Sequence, residues 1–190
     1  MERFALQELI KWKANINRKP LIIRGARQVG KTWLMKEFGQ RFYDHAIYIG
    51  FDNNPEMKEL FSTDYRVERI IKGIEMVSKT QIDPKNTLLI FDEIQEAPTA
   101  LTSLKYFYEN APQYQIVAAG SLLGVAMHEG TSFPVGKVDF LELYPLTYQE
   151  FLLAHGCDEL VKCLNDQEQD GLINLPLYAI EELGNIKRKI

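Results

Sequence analysis

The chain has 190 residues, of which 46% are hydrophobic and 25% charged, a composition that excludes general disorder. With 22 basic and 26 acidic residues the formal net charge is −4, which excludes a strongly basic nucleic-acid binder while leaving a local basic patch open. Two cysteines, Cys157 and Cys163, make neither a disulfide framework nor a zinc signature and read as free thiols of a reducing cytosol.

The start, Met1-Glu2-Arg3-Phe4, lacks the basic and apolar regions of a secretory signal. No apolar run approaches the roughly 20 residues that span a bilayer. These features read as a soluble, cytoplasmic protein with no membrane partner.

In chain order, Ala5, Leu9, Trp12 and Ile16 mark the apolar face of a first helix. Pro20 ends it, and Leu21-Ile22-Ile23 reads as a short buried strand. A glycine-containing turn leads into a helix from Lys31 to about Gln40. Ala46–Ile49 is the second strand, and 65–77 a helix with Val67, Ile70, Ile71, Ile74 and Val77 on one side. Thr87–Phe91 forms a third strand, continuously apolar as a strand covered on both faces should be. A helix is predicted from Thr99 to about Asn110, a fourth strand over Gln115–Ala119 and a fifth over Val138–Leu143, after a long connection from Gly120 to Gly136. Strands alternating with helices predict an α/β fold with a parallel sheet. Thr147 and Glu150 form a capping box for a further helix, with Leu146 and Phe151 spaced for a hydrophobic staple. The polar run 165–170 reads as a linker or exposed turn.

The decisive run is Gly25-Ala26-Arg27-Gln28-Val29-Gly30-Lys31-Thr32, followed by Trp33. It fits G-x-x-x-x-G-K-[ST] and lies after a strand and before a helix, where a phosphate-binding loop must lie. The glycines let main-chain N–H groups turn inward, and the helix start adds a positive dipole end. Lys31 is expected to reach the β- and γ-phosphates, and the Thr32 hydroxyl to ligate Mg²⁺.

The second motif is Leu88-Leu89-Ile90-Phe91-Asp92-Glu93, a buried strand ending in two carboxylates. Asp92 suits a second Mg²⁺ contact and Glu93 a base for the attacking water. The chain has no Asn-Lys-x-Asp run for guanine, and the extra carboxylate suits water as the nucleophile; together these point to ATP.

The runs 25–32, 91–98 and 119–124, continued by 132–138 and 144–151, resemble prokaryotic AAA-like P-loop ATPases, with Walker A and Walker B motifs. The resemblance covers about residues 1–155. It implies a three-layer sandwich with strand order 5-1-4-3-2, a strand lying between the two phosphate-site strands, and Ser121 as a sensor of the γ-phosphate or the attacking water. Relatives carry a C-terminal domain of unknown function, often suggested to be nuclease-like, so 1–155 is expected to be the ATPase domain and 156–190 a linker or the start of a shortened second domain. Phosphoryl transfer is accelerated by an arginine that neutralises transition-state charge, which a neighbouring subunit of a homo-oligomer or that further domain is expected to supply. Arg24, Arg27 and Lys137 lie in or near the motifs as candidates for such a charge. Gln95 reads as a turn former or as a relay of nucleotide state. His45, His128 and His155 are isolated and read as structural or surface residues. Lys11, Lys13, Arg18 and Lys19 suit either the solvated side of the first helix or contact with DNA.

Overall fold

A computed structural model describes residues 3–120 and 134–168. These described residues fall into two compact units, those within Ala5–Pro145, and those within Met1–Phe4 together with those within Leu146–Ile190.

The larger unit holds α1 (Ala5–Ala14), β1 (Leu21–Arg24), α2 (Lys31–Phe42), β2 (His45–Gly50), α3 (Pro55–Ser62), α4 (Val67–Ser78), β3 (Thr87–Asp92), α5 (Pro98–Asn110), β4 (Gln115–Ala119) and β5 (Asp139–Glu142). All five strands are parallel, in the order β2-β3-β4-β1-β5. Read from the other edge this is 5-1-4-3-2, the order that the resemblance implies. β4 lies between β1 and β3, pairing Leu21 with Val117 on one side and Leu88 with Gln115 on the other.

Side chains alternate across the sheet and divide the core in two. Leu89, Phe91, Ile116 and Ala118 face one way with Ile70 and Ile74 of α4 and Leu104 and Phe107 of α5. Leu88, Ile90, Val117 and Ala119 face the other way with Leu9 and Trp12 of α1 and Leu34 and Phe38 of α2. The central strands are buried at every residue, which explains their unbroken apolar character.

Three local readings need correction. The first helix ends at Ala14, and Ile16 is 91% exposed rather than on its buried face. The side chain of Asn15 accepts from the N–H of Asn17 at 2.9 Å, an Asx turn that diverts the backbone from the helix. The segment 55–62, for which the sequence reading assigned no element, is α3. It is started by Asn54, whose side chain accepts from the N–H of Met57 at 3.1 Å, and by Pro55 in its first turn.

In the smaller unit, α6 (Tyr148–Ala154) is followed by α7 (Asp158–Glu168), so the polar run 165–168 is helical and not a linker. Leu160 and Val161 supply the reason, since they pack with Leu152 of α6. The capping box is present: Thr147 accepts from the Glu150 N–H at 3.1 Å, and Glu150 Oε2 accepts from the Thr147 N–H at 2.8 Å. Among the described residues no helix is long and apolar enough to cross a membrane.

Candidate functional site

β1 delivers the chain to a turn that only glycine can open. Gly25 has φ +152°, and a Cβ there would lie 2.2 Å from the Leu143 carbonyl oxygen. Gly30, at φ +93°, occupies the N-cap position of α2, and no side chain caps that helix start. Its first-turn N–H groups and dipole therefore face the cleft without a competing side-chain acceptor. Gln28 also takes a left-handed backbone, φ +64°. The loop is thus wound tightly around a centre, a form suited to an anion.

The Lys31 side chain is buried, and its ammonium donates to the carbonyls of Gly25 at 2.9 Å and Ala26 at 2.7 Å. Thr32 Oγ1 donates to Asp92 Oδ2 at 2.6 Å. Asp92 is only 3% exposed; its Oδ1 accepts from the Glu93 N–H at 3.1 Å and its Oδ2 also accepts from the Tyr48 hydroxyl at 3.0 Å. Burial, and then the charge of Asp92, push the Tyr48 phenol well above its ordinary range, so Tyr48 remains a donor.

Glu93 has φ +49° and ψ +46°, a left-handed conformation uncommon outside glycine. Its carboxylate accepts from the Gln95 side-chain amide, while the other polar atom of that amide, Oε1, is buried without a partner among the described residues. A cleft of about 630 Å³ is lined by Arg27, Lys31, Thr32, Asp52, Glu93 and Gln95, among others. It is cationic on the loop side and anionic on the wall opposite. Its place, outside the carboxyl ends of β1 and β3, is where open α/β sheets bind ligands.

The structure therefore brings Gly25, Ala26, Gly30, Lys31, Thr32, Asp92 and Glu93 to one end of the sheet, with Arg27, Gln28 and Trp33 lining the cleft and Val29 packed in the core beneath it. Ser121 and His128 lie outside the described residues. Arg24 and Lys137 are engaged elsewhere: the Arg24 guanidinium stacks 3.3 Å from the Phe140 ring centre, and Lys137 pairs with Glu109 at 3.0 Å. Arg27 is exposed and has no ion pair among the described residues. Tyr48 and Asp52 were missed by sequence reasoning. Their only signal was position, within and just past the strand that pairs with β3. Among the described residues no group of three or more His, Cys, Asp or Glu side chains could hold a metal. Thr32 and Asp92 instead offer one hydroxyl and one carboxylate, a hard-oxygen pair that fits a Mg²⁺ keeping most of its water shell.

The sequence profile of the AAA domain family matches residues 17–152. This chain belongs to that family. The AAA domain is a P-loop nucleotide-binding ATPase fold, and a DNA replication initiation factor shares it: that crystal structure aligns over 97% of this chain and 59% of its own, with TM-score 0.52 and 19% identity. The Aeropyrum pernix ORC1 protein in complex with DNA aligns over 82% of this AAA domain chain and 47% of its own, with TM-score 0.49 and 14% identity. AMPPCP-bound DnaA from Aquifex aeolicus aligns over 95% and 55%, with TM-score 0.47 and 17% identity. This chain spans less than two thirds of the length of each of these structures. No curated protein matches it significantly.

Proposed function

We propose that this AAA domain binds ATP with Mg²⁺ and hydrolyses the β–γ phosphoanhydride bond. The observation that carries the reading is the direct contact of Thr32 with Asp92, which joins the phosphate-loop helix to the strand ending in two carboxylates. In this reading the loop N–H groups from Gly25 to Trp33 and the Lys31 ammonium hold the phosphates. Thr32 and Asp92 hold Mg²⁺, which when bound neutralises charge on the phosphate oxygens. Glu93 accepts a proton from water, whose oxygen bonds to the γ-phosphorus as the bond to the bridging oxygen breaks, leaving ADP and inorganic phosphate. Ser121 is assigned the sensing of the γ-phosphate. An arginine from a neighbouring subunit or a further domain is expected to raise turnover.

A second reading, a nucleotide-gated switch that recruits a protein or DNA partner with little hydrolysis, is favoured by one contact. The Gln95 amide occupies an oxygen of the carboxylate that would take the proton. Phosphate release from ATP and GTP with Mg²⁺ separates the two, comparing the wild type with Lys31→Ala and Glu93→Gln. The hydrolase requires ATP turnover that both changes abolish, with ATP binding retained in Glu93→Gln. Equal turnover in the wild type and Glu93→Gln refutes the base. Binding lost only in Lys31→Ala, with no turnover in any protein, establishes the switch.

A further inference from the structure

At the end of the sheet opposite the nucleotide cleft, the segments that enter β1, β3 and β4 surround a second pocket of about 470 Å³. β3 runs six residues between the two ends, roughly 20 Å at about 3.3 Å per residue. Lys13, Arg18 and Lys85 line this pocket, with Gln113, Gln115 and Ile16, and no carboxylate does. In a chain of net charge −4 this is a local inversion of sign.

The pocket is built on a fixed floor. Gln115 is buried, its Oε1 accepts from the Tyr43 hydroxyl at 2.8 Å, and its Nε2 donates to the Lys85 carbonyl at 2.8 Å. That amide holds the loop carrying Lys85 against the strand that carries Gln115. Above it, Arg18 Nε is buried with no acceptor among the described residues, and its Nη1 reaches only the Asn15 carbonyl, at 3.4 Å. Neither Arg18 nor Lys85 forms an ion pair among the described residues, whereas Lys11 and Lys19 of the same basic run are engaged by Glu8 and by the Gly136 carbonyl. Lys13 donates to the Phe42 carbonyl. Burial is the main cause that lowers its pKa; Asp44 opposes the shift, and Arg18 adds a smaller repulsion in the same direction as burial. A guanidinium with a desolvated, unmatched N–H, next to two ammonium groups, is complementary to phosphate oxygens.

We propose that this pocket is a second phosphate-binding site, separate from the nucleotide cleft, which takes a phosphate of a nucleic-acid backbone or of a free polyphosphate. Arg18 donates through its terminal nitrogens, and Lys13 and Lys85 supply charge. The site does not depend on whether the cleft hydrolyses ATP.

The test fills the cleft with a non-hydrolysable ATP analogue, then measures binding of a labelled single-stranded oligonucleotide and of inorganic triphosphate across a salt series. The proteins are the wild type, Arg18→Ala with Lys85→Ala, and Lys85→Glu alone; Lys85 is exposed, so the last variant keeps its fold. For the backbone source, the double variant should lose at least tenfold in oligonucleotide affinity. The slope of log affinity against log salt should also flatten by about 1.4, at about 0.7 per phosphate contact removed. Triphosphate binding that the variants lose, with no oligonucleotide binding, assigns the site to free polyphosphate. Unchanged affinity and slope in both variants, or no binding of either probe by the wild type, overturns the proposal.

Discussion

Thr32 Oγ1 donates to Asp92 Oδ2 at 2.6 Å across sixty residues of sequence. The hydroxyl sits in the first turn of α2 and the carboxylate at the end of β3, and β4 is interposed between their parent strands. Asp92→Asn keeps the shape and removes the charge that would attract Mg²⁺. Because metal stabilisation of phosphoryl transfer is worth several kcal/mol, turnover should fall about 10²-fold or more. Thr32→Ser keeps the hydroxyl and should stay within a few-fold of the wild type, whereas Thr32→Ala should follow Asp92→Asn. Nucleotide affinity measured with and without Mg²⁺ checks this, since neither damaging change should matter when the metal is absent.

Gln95 offers a different handle on the same cleft, because its amide holds the Glu93 carboxylate. A hydrogen bond to a charged group is worth about 1.5–3 kcal/mol, and about 1.4 kcal/mol is tenfold in rate. If the contact restrains the base, Gln95→Ala should raise ATP turnover roughly tenfold without changing ATP affinity. A fall in turnover would mean that Gln95 holds Glu93 in its working orientation.

Gly25 has no room for a side chain. A Cβ would meet the Leu143 carbonyl oxygen at 2.2 Å, and that oxygen belongs to backbone that cannot swing aside. Gly25→Ala should therefore cost about 2 kcal/mol or more in stability and weaken nucleotide binding by deforming the loop. Thermal unfolding and nucleotide titration of the same preparation separate the two effects.

Glu150 makes the smaller unit sensitive to acid. Burial alone would raise its carboxyl, but the N–H groups of Thr147 and Phe4 and the guanidinium of Arg3 outweigh that and hold it below the ordinary value of 4.5. A carboxyl depressed in the folded state contributes stability that is fully present above about pH 4.5. That contribution fades as pH falls through the lowered folded value. Glu150→Gln should cost about 3 kcal/mol at neutral pH, because it removes the carboxylate charge that faces the buried Arg3 guanidinium. The difference from the wild type should shrink on acidification toward pH 3; a difference constant with pH would refute the linkage.

Much of this protein was legible before folding was considered. The 25–32 run and the 87–93 strand with its two carboxylates specify their own local structure. Glycine backbone freedom, continuous apolar character and the capping chemistry of Thr147 and Glu150 act within a few residues, so sequence alone set them. The strand order followed from a resemblance, and the pairing of β1 with β4 rather than with β3 bears it out. What sequence spacing does not encode is which distant side chains meet. Tyr48 reaches Asp92 only because β2 pairs with β3 in a register that places Tyr48 opposite Ile90. Arg3 reaches Glu150 across 147 residues. Ile16 left its expected helical face because the neighbouring Asn15 side chain offered the backbone a turn. The sign inversion around Arg18 appears only when the entries to three strands converge at one end of the sheet. Local backbone preference is written along the chain, whereas the convergence of charges and hydroxyls is decided by sheet order and register.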